Sequence, residues 1–122
     1  MKVKSISWLG VRTNKFNEMC KFYEEVFKLP KVFSEPGFAA YKFPNGDLIE
    51  IFAESYESHK LFNTGPVPGF EVENIEQARE EMEKLGIEFI GPIEEDKDNG
   101  NKWSHFRHLD GNIYELSQRG KS

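Results

Sequence analysis

With a single cysteine, Cys20, in 122 residues, the chain can form no internal disulfide and cannot build a cysteine-rich zinc centre. It also lacks any apolar run long enough to cross a bilayer, so no membrane partner is expected. A basic start followed by an apolar stretch is missing from residues 1–10, which makes the cytoplasm the expected location. Excess positive charge is absent as well: 16 Lys and Arg face 21 Asp and Glu, for a net charge of −5. Nucleic acid needs a concentrated basic surface, so it is not an expected partner. No glycine-rich phosphate loop, nucleophile elbow or Cys–His pair is present. The acidic stretch Glu94-Glu95-Asp96 with Lys97-Asp98-Asn99-Gly100 lacks calcium-loop spacing and reads as a mobile polar loop.

What remains is the composition of a globular protein, with 38% hydrophobic and 30% charged residues, at the length of one domain. Aromatics reach 14%, eleven of them Phe, and suit a packed sheet or a ligand-stacking pocket equally well. Ser5–Arg12 reads as a strand, followed by Thr13-Asn14 as a helix-capping pair. Phe16, Met19, Cys20, Tyr23, Val26 and Phe27 then fall on one helical face, and Pro30 stops the helix. Extended runs follow at Lys31–Ser34, Phe38–Phe43 and Leu48–Ala53. The pattern recurs with a strand at Gly69–Glu73 and a helix capped by Asn74, faced by Ile75, Ala78, Met82 and Leu85, and ended by Gly86. Ile87–Ile90, Lys102–His108 and Ile113–Ser117 are extended again. Both halves read β-α-β-β-β, a repeat that carries more fold information than any single motif. The expected fold is α+β in one domain spanning 1–122, with module 1 at about 4–53, a linker at 54–66 and module 2 at about 67–118.

The repeat is closest at two hairpins. Phe43-Pro44-Asn45-Gly46-Asp47-Leu48-Ile49-Glu50-Ile51 aligns with His108-Leu109-Asp110-Gly111-Asn112-Ile113-Tyr114-Glu115-Leu116. Each turn ends in Gly, and each places a Glu four residues later. A type I turn closed by a left-handed Gly pairs Phe43 with Asp47 and His108 with Asn112. Ala40 then lies opposite Glu50, and His105 opposite Glu115. Trp103, His105 and Arg107 share the face of Glu115. A two-residue Asp110-Gly111 turn would instead put Phe106 opposite Glu115. Pro44 at the first turn position favours the bulged form.

With these modules in place, the chain resembles the vicinal oxygen chelate superfamily, which includes glyoxalase I, bleomycin-resistance proteins and extradiol dioxygenases. The resemblance rests on the paired β-α-β-β-β halves and on Trp8-Leu9-Gly10-Val11-Arg12-Thr13 with Phe22-Tyr23. Gly69-Phe70-Glu71-Val72-Glu73-Asn74 and Asp110-Gly111-Asn112-Ile113-Tyr114-Glu115-Leu116 complete it, over about residues 4–118. It implies tandem βαβββ modules whose curved sheets enclose a small-molecule cavity, in a homodimer, often with a divalent metal such as Fe, Mn, Ni or Zn. The superfamily's ligand positions on the last strand of each module fall on Glu50 and Glu115. Those on the first strands fall on Trp8 and Val67, whose side chains cannot bind a cation. Together with the hairpin register, which sets His105 beside Glu115, the resemblance implies a cavity lined by Glu50, Glu115, His105 and Trp8 without the full four-ligand metal site.

Each candidate residue carries more than one reading. Two carboxylates facing one cavity need compensation, for which Arg12, sharing strand parity with Trp8, and Arg107 are the candidate cations. His105 could be a third metal ligand beside Glu50 and Glu115, a general acid or base, or a histidine simply hydrogen-bonded to Glu115. Trp8 could fill the volume a metal would take or, with Trp103, wall a planar ligand. His59 and His108 read as solvated, and Cys20 as a buried thiol. Three functions follow: a small-molecule binder, a metal-dependent lyase or isomerase of glyoxalase type using Glu50 and Glu115, and a metal-free acid/base enzyme using His105 and Glu115.

Overall fold

The computed structural model describes residues 1–120. It is α+β, with eight strands and two helices in the order β1 (Val3–Thr13), α1 (Phe16–Glu25), β2 (Lys31–Glu35), β3 (Phe38–Lys42), β4 (Leu48–Ala53), β5 (Val67–Val72), α2 (Ile75–Lys84), β6 (Glu88–Glu95), β7 (Lys102–Arg107) and β8 (Ile113–Gln118). The residues pack as two compact units. The first is Ser7–Val67; the second joins Met1–Ile6 to the chain from Pro68 onward.

In the first unit the strands run β2-β3-β4-β1, with β1 parallel to β4 and the other neighbours antiparallel. Alternation along the strands sends Leu9, Val11, Ala39, Tyr41, Ile49 and Ile51 to one face, where Phe16, Met19, Cys20 and Tyr23 of α1 cover them. The buried Tyr41 hydroxyl donates to Glu24 Oε2 at 2.6 Å, and Lys31 reaches the same carboxylate at 3.1 Å, fastening the helix to the strands. Burial, with help from Cys20 and Glu24, raises the Tyr41 pKa, while the hydrogen bonds from Tyr41 and Lys31 lower that of Glu24.

Both ends of α1 differ from expectation. Its N-cap is Lys15, and Thr13 Oγ1 accepts instead from the Lys15 N–H at 3.0 Å. Its last helical residue is Glu25, well before Pro30. Lys28 turns left-handed at φ 54°, and the Leu29 N–H closes back on the Tyr23 carbonyl at 3.0 Å. Phe22 keeps its ring contacts with Tyr23 and Phe27 yet is 42% exposed, and Cys20 is half-buried rather than buried.

In the second unit the order is β5-β8-β7-β6, with β5 parallel to β8. Val72, Ile75, Ala78, Phe106 and Leu116 form its core under α2. Asn74 caps α2 as expected, its Oδ1 accepting from the Gln77 N–H at 3.0 Å, and Gly86 ends it with φ 90°. Glu94 and Glu95, expected in a loop, belong to β6, whose register shifts between Ile90 and Glu94. The turn that follows is short, closed by the Gly100 N–H on the Asp96 carbonyl at 2.7 Å.

Candidate functional site

The two hairpins position the site residues. The Phe43 N–H donates to the Asp47 carbonyl at 2.8 Å and the Gly46 N–H to the Phe43 carbonyl at 2.9 Å; His108, Asn112 and Gly111 repeat these bonds at 2.9 Å each. Gly46 and Gly111 stand at φ 92° and 84°, which L side chains rarely adopt. This is the bulged turn, and it fixes the expected register: Ala40 opposite Glu50, His105 opposite Glu115.

His105 and Glu115 meet on the sheet face opposite α2, with Nε2 and Oε1 2.9 Å apart. They are 6% and 3% exposed. Removal from water disfavours charge on both. It lowers the His105 pKa to about 4, with Glu94 pulling weakly the other way, and it raises Glu115 well above the usual carboxylate range. The uncharged form is therefore favoured, with the Glu115 acid proton donated to Nε2. A carboxylic acid able to give a proton thus sits against an imidazole able to take one. Beneath the pair, Arg79 of α2 donates to Ser104 Oγ on β7 at 3.1 Å and to the Gly91 carbonyl on β6 at 2.8 Å. Sequence reasoning missed this anchor; the spacing of Arg79 along α2 gives no hint of where its long side chain ends.

The expected companions of the pair are used differently. Arg107 is exposed, and its Nη1 donates to the Gly111 carbonyl of its own turn at 3.1 Å. Trp103 is half-buried beside Ser117 in the strand register.

In the first unit, Trp8, Gly10 and Arg12 alternate along β1, with Gly10 beside Glu50. A Cβ on Gly10 would stand 2.2 Å from the Trp8 ring and 2.9 Å from Phe62, so the glycine makes room for the indole. Trp8 and Phe62 meet edge to face with ring centres 5.9 Å apart. The guanidinium of Arg12 is engaged by loop carbonyls: Nη2 donates to those of Glu54 and Tyr56, the latter at 3.2 Å, and Nη1 to that of Ser58 at 3.4 Å. Residues 54–66, expected as a linker, thus fold back on their own unit. Phe62 is 2% exposed, and His59 is half-buried, its ring 4.7 Å from Phe52 and 5.1 Å from Phe62. Tyr56 stacks on Phe38 and donates to Glu35. That bond, with burial and the negative charges of Glu35 and Glu50, pushes its pKa up to about 12. Alternating Glu, Ser and aromatic residues concealed this packing, since the rings do not follow a strand or helix period. His108 is half-buried too, meeting Tyr114 edge to face with ring centres 4.6 Å apart. A groove of about 510 Å³ opens between Pro36-Gly37 and Ser55–Ser58, and none of the expected site residues lines it.

An α+β chain with these hairpins has counterparts among solved structures. Methylmalonyl-CoA epimerase from Mycobacterium tuberculosis superposes with a TM-score of 0.75 at 15% identity, covering 98% of this chain and 90% of that one. A hypothetical protein from Bacillus halodurans C-125 gives 0.74 at 18% identity, covering 97% and 96%. A glyoxalase/bleomycin resistance protein/dioxygenase superfamily member from Vibrio splendidus 12B01 gives 0.67 at 14%, covering 90% and 95%. At such identities the likeness defines the fold. No curated protein matches the sequence significantly. The family model of the Glyoxalase/Bleomycin resistance protein/Dioxygenase superfamily matches residues 5–116, and the chain belongs to that superfamily.

The superfamily's metal centre does not fit these residues. Of the four corresponding positions, Val67 is a fully buried hydrocarbon and Trp8 offers only an N–H donor from a ring packed over Gly10. Glu115 is hydrogen-bonded to His105. Among the described residues no three His, Cys, Asp or Glu side chains gather closely enough to hold an ion. No described helix is long and apolar enough to cross a membrane.

Proposed function

We propose that this protein binds a small molecule through the His105–Glu115 pair without the superfamily's four-ligand metal centre. The buried 2.9 Å contact between two groups that burial keeps uncharged carries this reading. A hydrophobic core sits under α2, so burying a His and a Glu on the other face is not needed to hold that helix, and it costs desolvation. The return is a neutral donor–acceptor couple that can hydrogen-bond a polar group of a ligand in either sense. Trp103, on the same face of β7 as His105, belongs to the same reading as a lining residue. Fragment screening by amide chemical-shift mapping tests it. Binders should perturb residues 103–107 and 113–117, and lose affinity in His105→Ala and Glu115→Gln while both variants keep the wild-type spectrum elsewhere. Binders that are indifferent to both substitutions would reduce the pair to structure.

The same couple favours a second reading, metal-free acid/base catalysis, because Glu115 can deliver a proton while His105 accepts one. Methylmalonyl-CoA, named by structural neighbours, is the probe: deuterium from solvent should enter its acidic C–H position in the wild type but not in His105→Ala. Absence of exchange with binding retained leaves the binder alone.

A further inference from the structure

On the face of the second unit turned away from α2, the strand registers set the side chains in transverse rows. One row holds the buried pair: Ile90, His105, Glu115 and Gly69, on β6, β7, β8 and β5 in turn. The next row, two residues along β7, β8 and β5 and about 7 Å away, holds Glu94, Trp103, Ser117 and Glu71. The register shift in β6 turns Ile93 to the core under α2 and Glu94 to this face. Glu94 lies near enough to His105 for its negative charge to act on the imidazole. This second row is also more open than the pair: Glu94 is exposed, and Trp103 and Ser117 are half-buried.

Two side chains of this row are unused by the fold. The other tryptophan, Trp8, is seated over Gly10 against Phe62, and Glu71 is paired with Arg119 at 3.1 Å. Among the described residues, by contrast, no ring contact, side-chain hydrogen bond or ion pair engages the indole of Trp103 or the carboxylate of Glu94. Indole is the aromatic face that attracts a cation most strongly, and a carboxylate one strand away adds charge of the matching sign. An anion would meet Glu94 uncompensated, and a neutral planar ring would leave Glu94 idle. A metal ion would find too few ligands, since no three His, Cys, Asp or Glu side chains gather among the described residues. Arg107 lies on the far side of the pair and donates to its own turn. Because burial keeps His105 uncharged, the pair itself sets no positive charge against a cation. We propose that Trp103 and Glu94 form a cation subsite beside the His105–Glu115 pair, so that the ligand is an organic ammonium ion whose uncharged polar group meets the pair. The cationic end of that ligand rests on Trp103 and Glu94; its polar end rests on the binding role proposed for the pair.

Aminopentanol, with an ammonium and a hydroxyl at the two ends of a five-carbon chain, spans about the distance between the rows and is the probe. Pentanediol is its uncharged counterpart and hydroxypentanoate its anionic one. Chemical-shift titration of the full chain should show saturable, about millimolar binding of aminopentanol at the Trp103 indole N–H and the Glu94 amide. Pentanediol should bind about tenfold more weakly, and hydroxypentanoate more weakly still. Glu94→Gln and Trp103→Ala should each weaken aminopentanol about tenfold, while Trp103→Phe keeps part of the affinity through its own ring face. Glu94→Gln should leave the melting temperature and the affinity for pentanediol unchanged, because Glu94 is exposed and only its charge is removed. No saturable binding of aminopentanol, or binding indifferent to Glu94→Gln, would overturn the proposal. Equal affinity for aminopentanol and pentanediol, with shifts centred on His105 and Glu115, would overturn the cation subsite and leave the pair its binding role. Aminopentanol that needs Glu94 and Trp103 but ignores His105→Ala would support the subsite and overturn the part given to the pair.

Discussion

Glu50 and Glu115 stand four residues after a left-handed glycine in hairpins with matching turn bonds, and their surroundings diverge at the residue across the strand. Glu50 faces Ala40 and Gly10 and stays half-buried, while the rings of the first unit pack through Phe52, Phe62 and Trp8. Glu115 faces His105, and the two are buried against each other. One scaffold therefore holds two carboxylates in different surroundings. Beside its small neighbours, Glu50 keeps part of its surface in water. An imidazole neighbour completes the hydrogen bonding of Glu115 and lets it be buried, where ionisation is costly.

The comparison can be broken at several points. The largest effect belongs to Phe52→Ala, which removes a ring that is 1% exposed and touches Phe38, Tyr56, His59 and Phe62. It should cost about 3–5 kcal/mol in urea unfolding. Next, Glu115→Ala or His105→Ala leaves a buried polar group without its partner and should cost about 1–3 kcal/mol each. The double variant should cost less than the sum, because the second change removes a group already orphaned. Glu50→Ala should cost clearly less than Glu115→Ala; equal losses would erase the distinction between the two hairpins.

The pH dependence separates the partners by sign. In Glu115→Gln the lowered pKa of His105 acts alone: the unfolded chain takes up that proton near 6.5 and the folded chain only near 4. Stability should be full above 6.5 and drain away as pH falls toward 4. In His105→Gln the raised pKa of Glu115 acts alone, so stability should be full below about 4.5 and fall as pH rises through the folded value. Equilibrium unfolding across pH 4–8 reads both slopes, and slopes of the same sign would contradict the assignment. The smallest effect is expected from Arg12→Ala, about 1 kcal/mol or a little more, with faster amide hydrogen exchange confined to residues 54–62. Unchanged exchange there would show that the aromatic packing alone holds the segment.

Much of this was legible in the sequence because it is local. The recurring strands and helices, the Asn74 cap and the hairpin register follow from short patterns whose geometry allows few alternatives. The register alone brought His105 opposite Glu115. What stayed hidden depends on where long side chains end. Arg12 points to the expected face, but its guanidinium meets loop carbonyls that no periodicity announces. Arg107 folds onto its own turn. Tyr56, His59 and Phe62 pack from a segment of turns, so their burial follows from the path of the loop. That Trp8 cannot hold a metal follows from its side chain alone; the role of Gly10 in seating its ring follows only from the fold.

The protonation of the buried pair is the hinge of this account, and nitrogen-15 NMR of the His105 ring through a pH titration measures it directly. A neutral imidazole at pH 7 that gains its second proton only near pH 4 is the expected result. An imidazolium at pH 7, titrating above 6.5, would mean that Glu115 is ionised and the contact is an ion pair, which contradicts the proposed neutral couple.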